Sequence, residues 1–254
     1  MKLQTNHIDS PFTIQNEIAF WGTQIKEHMM LLYLALVDQA IEQANLSKQT
    51  IQGKAYNLRE EALFLQNAWT SILGNSNPDV NEVKQLMLTT MNYHERLTKA
   101  LESGWIGWAS YSLNNHMMEE LRYFWSKVTG AGYKLSDELN FWLWHDADEV
   151  AYSDKLIDPL QINLSNQAHE YINRTKQIRY ELLQLLETGD FENLEGDALD
   201  VLYEYVGITE GLREGIRNKQ ILTNIPLAVV NHVIREGERS LEIFEWLLPV
   251  ENQT

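Results

Sequence analysis

Apolar residues recur at three- and four-residue spacing along nearly all of this 254-residue chain, with no sustained period-two alternation and no Asn-Gly or Asp-Gly hairpin signal. That pattern puts one apolar stripe on each helix and obliges the helices to bury their stripes against one another. The chain therefore reads as all-α. The spacing predicts helices over 11–45, 48–74, 78–103 and 108–128, then 136–156, 159–188, 191–219 and 225–247. Ser10-Pro11, Asn77-Pro78 and Asp158-Pro159 each pair a capping residue with a proline whose fixed φ suits the first helical position.

Four helices precede the stretch "TGAGYKLS", Thr129 to Ser136, and four follow it. Two glycines interrupt the pattern there, and Ser136 can cap the next helix. A chain of this length suits two domains with a core each, which gives 1–131 and 132–254. Short connections between long helices favour antiparallel neighbours, hence two tandem up-down-up-down four-helix bundles. The halves also echo each other. "EIAFWGTQIKEH" (Glu17–His28) matches "ELNFWLWHDADE" (Glu138–Glu149), and "NNHMMEELRYF" (Asn114–Phe124) matches "VNHVIREGERS" (Val230–Ser240), as a duplicated unit would.

The chain has no cysteine, so any metal must be held by His, Asp and Glu. A net charge of −16, with no cluster of Lys or Arg, repels phosphate backbones and anionic lipids, so neither nucleic acid nor a membrane is an expected partner. No apolar run approaches bilayer length and the start has no apolar signal region, which makes the cytoplasm the expected compartment. Oligomeric state is left open, a homo-oligomer included.

In an antiparallel bundle, residues equally far from a turn lie at the same height. Reflection through successive turns brings His28, Glu61, His94, His116 and Glu120 to one level in the first half, and Asp148, His169, Glu210, His232 and Glu236 to one level in the second. His145 stands three residues before Asp148 and four before Glu149, so its helix could present two ligands to one ion. Imidazole and carboxylate without sulfur suit iron, manganese or zinc, and paired carboxylates can bridge two ions. Without a cation, carboxylates on facing helices repel and are costly to desolvate. Three imidazoles in the first half make it the expected tighter site.

Two other readings use the same residues. In one, they form hydrogen-bonded polar layers that fix helix register in a metal-free structural or interaction scaffold. In the other, the metal acts on oxygen or peroxide as part of an oxidoreductase, which requires an open coordination position. No catalytic residue is assigned by either, and phosphate-binding glycine loops and the nucleophile elbow are absent. The tryptophans and the pairs Met29-Met30 and Met117-Met118 read as core and packing residues. Gly207, Gly211 and Gly215, four apart, offer a small-residue face for close helix approach. Glu17 and Glu138 lie about three turns from the ligand level, which suggests capping, interhelical or docking roles.

On Glu17-x-x-Phe20-Trp21 with Glu27-His28, its echo at Glu138-x-x-Phe141-Trp142, and the two Asn-His-x-x-x-Glu elements, the chain resembles an uncharacterised bacterial family of tandem ferritin-like four-helix bundles, known as a domain of unknown function. The resemblance spans nearly the whole chain. It implies a ferritin-like fold and metal binding at Glu27/His28 and His116/Glu120, with His232/Glu236 as counterparts, and implies no reaction. Ferritin-like di-iron proteins use Glu-x-x-His, whereas the order here is His-x-x-x-Glu.

Overall fold

A computed structural model describes residues 7–8, 10–44, 46–51, 53–188 and 194–247 of the chain. Its described residues are mostly α-helical, with short strands only. The chain divides into two compact units, Phe12–Ala131 and Met1–Pro11 with Gly132–Thr254. In chain order, β1 (His7–Ile8) is followed by α1 (Ile14–Ala35), α2 (Asp38–Gln43), β2 (Gln49–Ile51), β3 (Lys54–Tyr56), α3 (Leu58–Leu73), α4 (Val80–Ser103) and α5 (Tyr111–Thr129). Next come β4 (Tyr133–Lys134), α6 (Leu135–Asp154), α7 (Ile162–Thr188), α8 (Leu194–Arg217) and α9 (Leu227–Leu247). β1 pairs antiparallel with β4, which attaches the start of the chain to the unit that begins at Gly132.

In the 12–131 unit α1 packs on α3 and α5, and α4 also packs on α3 and α5, so the four long helices close a ring. In the other unit α6, α7, α8 and α9 do the same, with α6 against α9 completing the circuit. Trp21, Trp69, Tyr93 and Phe124 fill the first interior, and Trp142, Tyr171, Tyr205 and Phe244 the second. A buried indole N–H must find an acceptor. Trp69 donates Nε1–H to Thr90 Oγ1 at 3.1 Å, tying α3 to α4 inside the apolar core.

Several expectations are corrected. The helix over 11–45 divides at Leu36, because the chain there bridges to Gly107: Trp108 N–H donates to Ala35 O at 2.8 Å and Val37 N–H to Ile106 O at 3.0 Å. Residues 49–51 and 54–56 pair as the antiparallel strands β2 and β3 rather than forming helix, and Gly53 has φ 78°. Helix α3 starts after it at the capping box of Asn57 and Glu60. The prolines stand just before the helices rather than at their first residue: Thr13 caps α1 and Asp79 caps α4. Ser136 lies inside α6, whose N-cap is Lys134. The first residues of the expected 191–219 helix lie outside the described residues.

Not every tryptophan is core. Trp105 and Trp108 are exposed. Nor do the spaced glycines bring helices together, since nothing lies within 4 Å of a Cβ built at Gly207 or Gly211. Gly215 meets only the side chain of Ile221, just beyond its own helix. A glycine that does admit a neighbouring helix is Gly237, where a Cβ would meet the Tyr205 ring at 2.5 Å.

Candidate metal centres

Helix α5 begins where Ser110 Oγ accepts the Leu113 N–H, and its regular winding puts His116 and Glu120 one turn apart on one face. His116 Nε2 lies 3.0 Å from Glu120 Oε1. His28, on the adjacent helix α1, approaches the other oxygen, with Nε2 3.5 Å from Oε2. All three side chains are buried, and Glu120 is shut off from water completely.

The unit containing α6–α9 repeats this motif. His232 Nε2 is 3.2 Å from Glu236 Oε1 on α9, and His145 Nε2 on the adjacent α6 is 3.3 Å from Glu236 Oε2. Glu149, one turn beyond His145, is buried too. Burial raises the pKa of Glu236, but the His232 and His145 imidazoles together outweigh it and hold the carboxyl well below the usual range.

Buried His and Glu groups of this chain could hold a metal ion. Their spacing bears on how. Ligand atoms about 2.1 Å from a common ion stand about 3.0 Å apart along an octahedral edge and about 3.4 Å along a tetrahedral one. Three of the imidazole–carboxylate separations, 3.0, 3.3 and 3.2 Å, fall in that range, and the fourth, His28 to Glu120 at 3.5 Å, lies just above it. They exceed the roughly 2.7–2.9 Å of a charge-assisted hydrogen bond.

Among the expected ligands, the structure brings together His28, His116 and Glu120 in one unit and His145, His232 and Glu236 in the other. It takes the rest elsewhere. His94 is buried on α4, but its Nδ1 lies 2.8 Å from Asn114 Oδ1. Asn114 Nδ2 donates to His94 O and Thr98 Oγ1, so Oδ1 must accept and the ring carries its proton on Nδ1. Glu61 is buried against Arg96. Glu27 is half-buried and, one residue from His28, points about 100° away round the helix. Asp148 is half-buried in the field of Arg179. His169 is exposed and paired with Asp154 at 3.1 Å, and Glu210 is exposed and paired with Arg213 at 3.3 Å. Equal height along a bundle does not fix which way a side chain faces.

No family model matches the chain. It is 26% identical over 262 residues to uncharacterized protein L567 of Acanthamoeba polyphaga mimivirus, covering 93% of this chain and 81% of that protein. Its fold is similar to the crystal structure of an uncharacterized protein from Bacillus cereus G9241, with a TM-score of 0.79 at 15% identity over 94% of this chain and 91% of that one.

Two further buried carboxyls lie near the second ligand set: Glu149, already named as an i+4 partner of His145, and Asp146, which was not among the sequence candidates. Glu149 stands at i+4 from His145, a spacing visible in the sequence beside the competing Asp148. Asp146 follows His145 directly and accepts from Ser240 Oγ at 2.9 Å through Oδ2. Burial pushes its carboxyl up to about 8, against smaller lowering by His145 and Ser240. Lying within "HDADE", it carries no sequence signal separating it from Asp148, which is only half-buried.

Proposed function

We propose that the protein binds first-row transition-metal ions, iron first among them, through two sets of ligands: His28, His116 and Glu120 in one four-helix bundle, and His145, Glu149, His232 and Glu236 in a second. The observation that carries this reading is the glutamate set between two imidazoles in each unit, wholly out of water, with one carboxylate oxygen toward each. Imidazole with carboxylate suits iron, manganese and zinc, and the cation offsets the desolvation of the carboxylate. A carboxylate that turns its two oxygens toward different imidazoles is also suited to bridge two ions.

The two bundles are read as copies of one ferritin-like unit, in line with the resemblance to the tandem ferritin-like family and with the paired sequence motifs. On that alignment the last helices keep His and Glu in both copies. On the first helices Gln24 stands where the second copy has His145, and His28 where it has Glu149. The copies therefore supply their ligands in a different order. When bound, such an ion can act as Lewis acid or redox centre, and turnover of oxygen or peroxide is the activity to assay.

A metal-free polar layer is the second reading. It is favoured by the 3.0 and 3.2 Å pairs on α5 and α9, which also suit hydrogen bonds. Anaerobic titration of chelator-treated protein with Fe(II), Mn(II) and Zn(II), repeated on His116→Ala and His232→Ala, decides between them. Metal binding predicts that each variant loses the sites of its own bundle. Titrations showing no saturable binding in wild type would support the polar layer instead.

A further inference from the structure

Trp105 and Trp108 are 61% and 80% exposed on a loop that is fixed to the fold from both sides. Ile106, between them, is fully buried, and its carbonyl accepts from Val37 N–H, while Trp108 N–H donates to Ala35 O. Gly107 has φ 153° and sits so close that a Cβ would lie 2.2 Å from Ala35 O. The clamp holds the loop against residues 35–37 and directs both indoles to solvent. Their rings meet edge to face with centroids 6.0 Å apart.

Other apolar side chains of the same unit are exposed as well. Leu34 and Met30, one turn apart on α1 just before the clamp, are exposed, as is Tyr111 at the start of α5. No residue from Ser103 to Asn115 carries a formal charge, in a chain whose net charge is −16. Taking about 250 Å² for a whole tryptophan side chain, the two indoles present about 350 Å². With Leu34, Met30 and Tyr111 the patch comes to about 600 Å², the upper end of what ordinary monomers expose.

We propose that this patch is the contact between two copies of the chain, indole pair against indole pair across a two-fold axis. A standard interface takes about 800 Å² from each partner, of which about two thirds is apolar at its core, and the patch supplies that amount. Charge selects the same face, because two copies at −16 repel through most of their surfaces and least where no charge is present. Rigid aromatic rings also lose little conformational entropy when covered.

Sedimentation equilibrium of the full chain from about 1 to 200 µM, at about 0.05 and 0.5 M NaCl, tests this. The expected result is a monomer–dimer equilibrium that tightens with salt as the residual repulsion is screened, and that weakens about a hundredfold in Trp105→Ala/Trp108→Ala. Leu34→Asp should weaken it as well, and circular dichroism should be unchanged in both because the side chains are exposed. A wild type that stays monomeric at both salts overturns the proposal. So does a double variant that associates like wild type, or a monomer whose tryptophan fluorescence instead responds to phosphatidylcholine vesicles or soluble oligosaccharides.

Discussion

His116 and Glu120 stand one helical turn apart on α5, with the imidazole Nε2 3.0 Å from the carboxylate Oε1 and both side chains out of water. Glutamine at position 116 would keep a polar side chain against the glutamate but ligates metal poorly. His116→Gln should therefore lower metal affinity in its bundle by more than about tenfold while leaving the metal-free fold within about 2 kcal/mol of wild type. Isothermal titration and urea unfolding measure the two effects separately.

Glu120→Gln separates the role of the charge from that of the shape. A buried carboxylate between imidazoles is a desolvated ion group, and neutral replacements of such groups are often tolerated. Metal-free Glu120→Gln is expected to unfold within about 2 kcal/mol of wild type. It should lose most of the roughly 2.7 kcal/mol that a ligand at a hundred times its Kd adds to wild type. Equal metal-induced stabilisation in both proteins would remove Glu120 from the ligand set.

His94 gives a pH dependence of defined sign. Burial, opposed by the smaller effect of the Asn114 hydrogen bond, lowers its pKa from 6.5 to about 4. Between those values the unfolded chain takes up a proton that the folded ring refuses. The contribution is fully present above pH 6.5, falls as the pH drops towards 4, and is level below that. The loss amounts to at most about 3 kcal/mol. The stability difference between wild type and His94→Gln should shrink across that window, as followed by urea unfolding at half-unit pH steps.

Two glycines are positions where a methyl group has no room. Gly107→Ala adds a Cβ 2.2 Å from a backbone oxygen at positive φ and should cost about 2–4 kcal/mol. Gly237→Ala would press on the Tyr205 ring beside Glu236, so it should reduce stability and also weaken metal binding in its own bundle. Wild-type metal affinity in a folded Gly237→Ala protein would show that α9 can shift without disturbing Glu236.

The all-α character and most helix spans were legible because each helix must bury an apolar stripe, and the period of that stripe is written in the sequence. The β2–β3 pair was not, since three-residue strands are too short to show alternation and Gly53 stands without an Asn or Asp before it. His116/Glu120 and His232/Glu236 were legible as i,i+4 pairs. Counting residues gives height along a helix but not direction round it, so it could not show that His94 meets Asn114, Glu61 Arg96, His169 Asp154 and Glu210 Arg213. Asn114, which holds His94, could have been noticed as an amide facing a histidine across the Gly104 turn.

Metal content of protein purified without chelator tests the central claim most directly. Elemental analysis should find iron, manganese or zinc at close to one equivalent or more per chain, with loss of that metal from a His116→Ala/His232→Ala double variant that remains folded. Less than about a tenth of an equivalent in wild type, together with no thermal shift on adding Fe(II), Mn(II) or Zn(II), would contradict it.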